Sequence, residues 1–473
     1  MINTRQISTL PNKPLEYARF NLEQFVPNYR FLLLLMFLHI PLGLLLYRSS
    51  ALALLYPVLV FSIGLYYAIR KQERLERVAL VASYLIGSEV ILRMASSSIF
   101  WEFGKYGTAT IMIVALIQRG RLRFPTLPFL YFVFLLPACF LTVMSHDFGD
   151  ARGKLSFNMS GPLLLFVSCW FFSHVKVTTL QLKKVLFMVA VPLISVAVTT
   201  LFYTVTSDEI KFNTESNFAT SGGFGPNQVS SMLGLGAFVC LACYLLFKNK
   251  FGETLCLSVL CIFFAAQSVM TFSRGGIYNA VGTTLVIVII KMRNFGQGIK
   301  GLLPVAGIGL LFLFLVFPYL NNFTGGKLGQ RFGETETTNR TEIIESDWEL
   351  FLENPFLGLG VGEANESRVV LLDFKAASHT EFSRLISEHG VFGIFAISFL
   401  ALGTIYNFRR QTSVTGKALV AGVVIWSFLY MLNAGMRLAA PSYIWGLSFL
   451  TLVTLQRKGI LKTSAPDKIE ARH

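Results

Sequence analysis

Residues 185–206 read VLFMVAVPLISVAVTTLFYTVT, a run without a single charged side chain. A membrane span needs about 20 mostly apolar residues, and this stretch satisfies that requirement on its own. Lipid offers no partner for an exposed backbone, so such a run must close its own hydrogen bonds as a helix. It is too long and too uniformly apolar for a barrel strand. Working outward, comparable runs lie at 31–47, 51–69, 78–95, 106–118, 126–145, 159–174, 228–247, 254–272, 277–290, 301–320, 379–407, 418–435 and 441–456. The composition agrees. The chain has 473 residues, is 53% hydrophobic and only 14% charged, where soluble domains carry about 25% charged residues. A disordered chain, a secreted disulfide scaffold and a soluble single-core enzyme are excluded. The expected class is an all-α polytopic integral membrane protein of about 12–14 transmembrane helices.

The net charge of +15 needs a separate reading, because a basic chain can signal nucleic acid, an anionic membrane or an anionic substrate. Alternate connections carry RKQERLER (70–77), RGRLR (119–123), KVTTLQLKK (176–184), KNK (248–250), KMR (291–293) and RRQTSVTGK (409–417). With residues 1–30, Lys300 and the C-terminal residues, this side holds 27 Lys and Arg against 7 Asp and Glu; the opposite connections hold 12 against 16. Short basic loops stay cytoplasmic. The excess therefore reads as topology, with both termini inside and no nucleic-acid partner. Residues 1–30 are polar, contain Pro11, Pro14 and Pro27, and show no apolar core of a cleavable signal.

The connections are short, with one exception. Residues 321–378 form a long segment on the non-cytoplasmic side, and long ordered loops are often functional. A second outer loop, 207–227, runs into GGFGPNQ at 222–228. The chain accordingly divides into a cytoplasmic segment (1–30), N-terminal spans (31–206), a core with the long outer loop (207–407), C-terminal spans (408–456) and a basic tail (457–473).

All six cysteines (139, 169, 240, 243, 256, 261) fall within spans and read as small buried hydrophobes. No Walker, dinucleotide or H-E-x-x-H motif occurs, nor any D-x-D with which a sugar-nucleotide enzyme would hold a divalent metal. His146, Asp147 and Asp150 in HDFGD match no strong ligand spacing and read as a solvated loop. Glu89 and Arg93 stand one turn apart inside a span. A functional site and a neutralising pair are both open there.

Three stretches on the outer side carry residues suited to chemistry. In SHTEFSRLISEHGVFGIF (378–395), Ser378 and Glu381 have capping-box spacing, which predicts a helix from His379. A helix N-terminus disfavours imidazolium, and a neutral imidazole can act as a base. Glu381, Arg384 and Glu388 then share one face. In TNRTEIIESDWELFLENPFLGLGVG (338–362), Asn339 and Glu342 predict a helix with Arg340 in its first turn. Ile343, Ile344, Trp348 and Phe351 form its apolar face, Asn354-Pro355 its stop, and Gly358, Gly360 and Gly362 its tight turns. In TFSRGG (271–276), Arg274 stands against the charge trend, beside glycines that let a ligand approach the backbone. Arg437 has a similar but weaker context. Arg residues form bidentate, charge-assisted bonds to phosphate, so two Arg and a neutral His suit displacement of a lipid diphosphate.

At these residues the sequence resembles the O-antigen ligase/polymerase superfamily of bacterial membrane glycosyltransferases. In the ligases a His is followed by a small polar residue, nine residues, Gly, two residues and Gly or a substitute. Here His379-Thr380 is followed by nine residues, Gly390, two residues and Gly393; Thr380 departs from the usual Asn, Ser or Gln. The run from Arg340 through Trp348 to NPFLGLGVG, the SRGG at 273–276 and the GPNQ at 225–228 are similar to elements of that family, in the expected order over residues 220–400. The resemblance implies a bacterial cytoplasmic-membrane enzyme with its site on the outer face. Its donor would be an undecaprenyl-diphosphate-linked glycan and its acceptor a hydroxyl on a glycan or lipid. Transfer would be inverting, with no metal or cofactor. His379, Arg274 and Arg340 would be catalytic, and Asn227, Glu381, Arg384 and Arg437 would bind substrate. Ligase, polymerase and protein-glycosylating roles differ in acceptor, on which these residues are silent.

The competing reading is a polysaccharide transporter or lipid flippase. That would place charges along a midplane pathway and show repeated halves. Only Glu89 and Arg93 sit near a midplane, and no repeat is evident.

Overall fold

The computed structural model describes residues 29–96, 100–207, 210–292, 295–334, 340–372, 378–455 and 461–463. It is almost wholly helical. The first half comprises α1 (Tyr29–Arg48), α2 (Ser50–Ile69), α3 (Leu75–Met94), α4 (Phe103–Gln118), α5 (Thr126–Phe134), α6 (Leu136–Ser145), α7 (Phe148–Ser173) and α8 (Thr179–Thr206), with a two-residue strand β1 (Lys176–Val177) before α8. The second half comprises α9 (Pro226–Leu246), α10 (Phe251–Met270), α11 (Gly275–Met292), α12 (Phe295–Leu311), α13 (Phe317–Phe323) after a π turn, α14 (Lys327–Gly333), α15 (Arg340–Glu353), α16 (Ala364–Leu372), α17 (Glu381–His389), α18 (Val391–Arg410), α19 (Val414–Ala434) and α20 (Ala440–Gly446), then β2 (Thr451–Leu455) and β3 (Leu461–Thr463). Among the described residues ten helical stretches are long and apolar enough to cross a membrane, and Leu33–Arg48 is a shorter apolar helix. The chain is an all-α polytopic membrane protein, and its long connection folds into the short helices α14, α15 and α16.

The most buried spans are α9, α8 and α7. α8 lies against α3, and α9 touches α10, α11 and α8. Small residues set these approaches. A Cβ on Gly276 would lie 2.0 Å from the Ser230 carbonyl oxygen, and one on Gly234 would lie 2.2 Å from that of Gly276. The α9–α11 crossing is therefore backbone against backbone, as expected where apolar lipid gives helices no hydrophobic reason to associate. At the other extreme, the window spanning Val305–Phe323 is entirely unburied.

The charge-sorted loops also segregate. At one end Arg119 donates to the carbonyls of Tyr67, Arg70 and Glu73, Trp170 donates to that of Arg121, and Lys183 pairs with Glu253 at 2.9 Å. At the other end, which carries the 321–378 connection, His146 and Lys154 reach Glu363.

Three expectations need correction. The run at 441–456 is not one helix: α20 has seven residues, a 3₁₀ turn follows, and β2 pairs in parallel with β1. Residues 438–448 are buried in protein, the condition under which irregular backbone survives at membrane depth. The run at 379–407 is also broken. Gly390 has φ +60° and ψ −141°, a conformation open essentially to glycine alone, and it separates the amphipathic α17 from the spanning α18. Finally, α17 begins at Glu381 with Thr380 as N-cap, its hydroxyl accepting from the Ser383 amide. His379 thus precedes the helix rather than lying in its first turn, and Ser378 is not the cap.

Candidate active site

The site lies at the end of the bundle that carries the long connection. Four arginines converge there from four separate elements. Arg274 sits just before α11 and donates to the Glu334 carbonyl beyond α14. Arg331 of α14 donates to the Phe272 carbonyl at 3.1 Å, next to Arg274. Arg340 opens α15, as expected from spacing, and donates to the side-chain oxygen of Asn433 on α19; Asn339 lies outside the described residues. Arg437 follows α19 and donates to the Ser378 carbonyl at 3.3 Å. Burial, then repulsion from Arg274, Arg331 and Arg437, pulls the Arg340 guanidinium below its usual range. Guanidiniums that repel one another across unlinked elements form an anion-binding surface.

His379 faces this cluster. Burial, then the charges of Arg340, Arg437 and Arg368, holds its imidazole down at about 4. Its Nδ1 is buried and has no hydrogen-bond partner among the described residues. The neutral form expected from a helix N-terminus is present for a different reason: desolvation and neighbouring guanidiniums do the lowering.

The remaining predicted residues divide. Asn227 accepts from the Ser273 hydroxyl at 2.7 Å, and Ser230 donates to the Ser273 carbonyl at 2.8 Å, so α9 fixes the residue preceding Arg274. Glu381 and Arg384 are engaged with each other, and Arg384 also reaches Glu388 at 2.7 Å, the shared face that the spacing predicts. Glu381 further accepts from the Met436 amide at 2.9 Å, which steadies the turn bearing Arg437. A cleft with about 430 Å³ of open space lies beside them, lined by Lys105, Asn158, Ser378, Glu381, Arg384 and Arg437 among others.

Two expectations about glycine and apolar faces change. Gly275 and Gly276 do not open a path for a ligand. A Cβ on Gly275 would meet the Asn433 side chain at 2.3 Å, and one on Gly276 the Ser230 backbone. Their smallness serves helix packing, and it places the Arg340 partner Asn433 against the Arg274 turn. On α15 the buried face is Ile343, Ser346, Asp347 and Leu350, whereas Ile344 and Trp348 are exposed. Gly358, Gly360 and Gly362 do take positive φ, as tight turns require.

Sequence reasoning missed the contribution of the N-terminal spans. Glu89 and Arg93 pair at 2.7 Å within a larger buried cluster. Arg93 lies 3.9 Å from Glu102, which pairs with Lys105 at 2.7 Å. Arg93 also donates to the Arg437 carbonyl at 3.2 Å, and Glu89 accepts from the Ala439 amide at 2.7 Å. The cluster anchors both sides of the Arg437 turn, so the neutralising and functional readings merge. Arg331 and Arg368 were missed too, although the signal that singled out Arg274, a basic residue against the charge trend, applies to both. His146 is not simply solvated: its Nε2 meets Glu363 at 2.6 Å, tying α6–α7 to the outer loop.

Residues 257–398 match the family model described as O-antigen ligase. The segment includes Arg274, Arg340 and His379. No curated protein matches the chain. Over this segment, which lies within a polytopic helical bundle, the chain is similar to the O-antigen ligase family.

Proposed function

We propose that the chain transfers a glycan from an undecaprenyl-diphosphate-linked donor to an acceptor hydroxyl at the outer face of the bacterial cytoplasmic membrane. The observation that carries this reading is the convergence of Arg274, Arg331 and Arg437 on Arg340, which with Arg437 and Arg368 faces a neutral His379. Arg274 and Arg340 take the diphosphate oxygens. The acceptor oxygen attacks the anomeric carbon as the carbon–oxygen bond to diphosphate breaks, inverting that carbon. Its proton passes to His379, and the leaving electron pair stays on the diphosphate, where guanidinium charge stabilises it. Asn227 holds the Arg274 turn through Ser273. Glu381 and Arg384 border the cleft and bind the sugar portion, while Glu381 also steadies Arg437. With guanidiniums carrying the anion, the mechanism calls for no metal.

The transporter reading finds less support. The intramembrane charges Glu89, Arg93, Glu102 and Lys105 neutralise one another and hold the Arg437 turn, rather than marking a path between faces. Reconstitution in vesicles with an undecaprenyl-diphosphate-linked glycan and candidate acceptors separates the two. Transfer predicts one undecaprenyl diphosphate released per glycosylated acceptor. Movement of intact donor between leaflets without release would support the transporter instead.

A further inference from the structure

A buried ion pair outside the arginine cluster joins the elements that carry its two key groups. Asp347 lies two turns along α15 from Arg340 and is 1% exposed; Arg368 of α16 is 0% exposed. Arg368 Nη2 donates both to Asp347 Oδ1 and to the Ser378 hydroxyl, one residue before His379, and Nη1 donates to Asn365 at 3.0 Å. Asp347 Oδ2 accepts from the Ser383 hydroxyl at 2.6 Å, and Oδ1 from that of Ser387 at 3.3 Å. Ser383 in turn sits against Thr380, the cap of α17, at 2.8 Å. One carboxylate therefore ties the Arg340 helix to both ends of the segment holding His379.

We propose that the Asp347–Arg368 pair is a positioning clamp that fixes Arg340 relative to His379 for transfer. A buried pair is weak evidence for stability, since apolar residues of similar volume often do as well. Its attested use is to specify one arrangement, and here the arrangement specified is that of the diphosphate-binding helix against the base. Transfer geometry is sensitive, with about 1 Å of misplacement costing on the order of a hundredfold in rate. Arg368 also faces His379 electrostatically, with Arg340 from α15 and Arg437 from the turn after α19; among the described residues Glu381 and Arg384 of α17 and Asp347 of α15 lie on the adjoining elements.

The inference rests on the transferase reading, so the full-length parent in vesicles is the reference. If the parent does not transfer, that reading fails, whatever the variants do. The variants are Arg368→Gln, Arg368→Lys, the doubly neutral Asp347→Asn/Arg368→Gln, and Ser383→Ala, which leaves the pair intact. The clamp predicts a kcat loss of about a hundredfold for Arg368→Gln with little change in donor KM. Arg368→Lys should recover part of that rate, and Ser383→Ala should lose less in the same sense. A second readout needs no substrate: diethyl pyrocarbonate acylates imidazole only in its neutral form, and peptide mass spectrometry reads the modification at His379 itself. In the parent its reactivity should persist to about pH 4; in Arg368→Gln the midpoint should move up. Loss of the Arg368 charge moves that midpoint by itself, so the clamp is told from a merely structural role by the kcat loss at unchanged donor KM and its partial recovery in Arg368→Lys. Parental kcat in Arg368→Gln and in the double variant would overturn the proposal. So would variants that insert and fold but lose only donor affinity. Should the Gln variants fail to fold, parental kcat in both Arg368→Lys and Ser383→Ala would overturn it equally.

Discussion

Replacing Arg340 by Ala removes a guanidinium from the centre of the cluster. A charge-assisted hydrogen bond is worth about 1.5–3 kcal/mol net, and about 1.4 kcal/mol is a factor of ten in rate. One lost bond to the departing diphosphate therefore predicts a fall of about 10- to 150-fold. One feature pushes toward the lower part of that range: Arg340 is repelled by Arg274, Arg331 and Arg437, so its loss lets the others bind more freely. Charge on the leaving group grows in the transition state, so the loss should fall mainly on kcat. The pH profile supplies an independent signature. Transfer requires neutral His379, whose imidazole is held down at about 4 by burial and then by Arg340. Removing that charge raises the imidazole, so the acid limb of activity moves up in pH. Arg340→Lys keeps the charge but loses the fork geometry; it should lose rate while leaving the acid limb in place. The assay is initial-rate transfer in vesicles between pH 4 and pH 8, with the amount of inserted protein measured in parallel. A rate within about threefold of the parent and an unmoved limb in Arg340→Ala would refute the reasoning.

Other predictions address the scaffold and the chemistry. Gly390→Ala forces a side chain into φ +60°, with its Cβ 2.5 Å from the Phe356 carbonyl oxygen; strain of about 1–3 kcal/mol or more should lower the unfolding temperature in detergent. Glu89→Gln removes a partner of Arg93 and weakens acceptance from the Ala439 amide. Breaking such a buried pair costs about 3–5 kcal/mol, read as a clear drop in thermal stability together with weaker transfer as the Arg437 turn loosens. Chelation by EDTA should leave transfer intact; a loss that Mg²⁺ restores would overturn the metal-free mechanism.

The spans were legible because lipid imposes one simple rule, a long apolar run, and the charged loops sort by the same membrane logic. The rule fails where protein replaces lipid. The stretch from 441 is apolar enough to span, but it is enclosed by neighbouring helices and need not stay helical. Gly390 was legible as a spacing and not as a break, because the carbonyl that takes the amide just after it, Pro355 accepting from Val391 at 2.8 Å, comes from a distant loop. Arg274, Arg340 and His379 could be read from local patterns. What holds them could not be: Asn433, the Glu89–Arg93–Glu102–Lys105 cluster and the Asp347–Arg368 pair act across long sequence separations, and each looks like an ordinary charge or amide in its own segment. The cause of the neutral His379 was misread for the same reason, since a local helix terminus is visible in sequence and a ring of distant guanidiniums is not.

The most direct measurement concerns His379 itself. His379→Ala and His379→Gln, inserted at parental levels in vesicles with an undecaprenyl-diphosphate-linked glycan and acceptor, should bind the donor but lose transfer, by about 10²–10⁴-fold as expected for removal of a general base. Transfer at the parental rate in both variants would contradict the assignment.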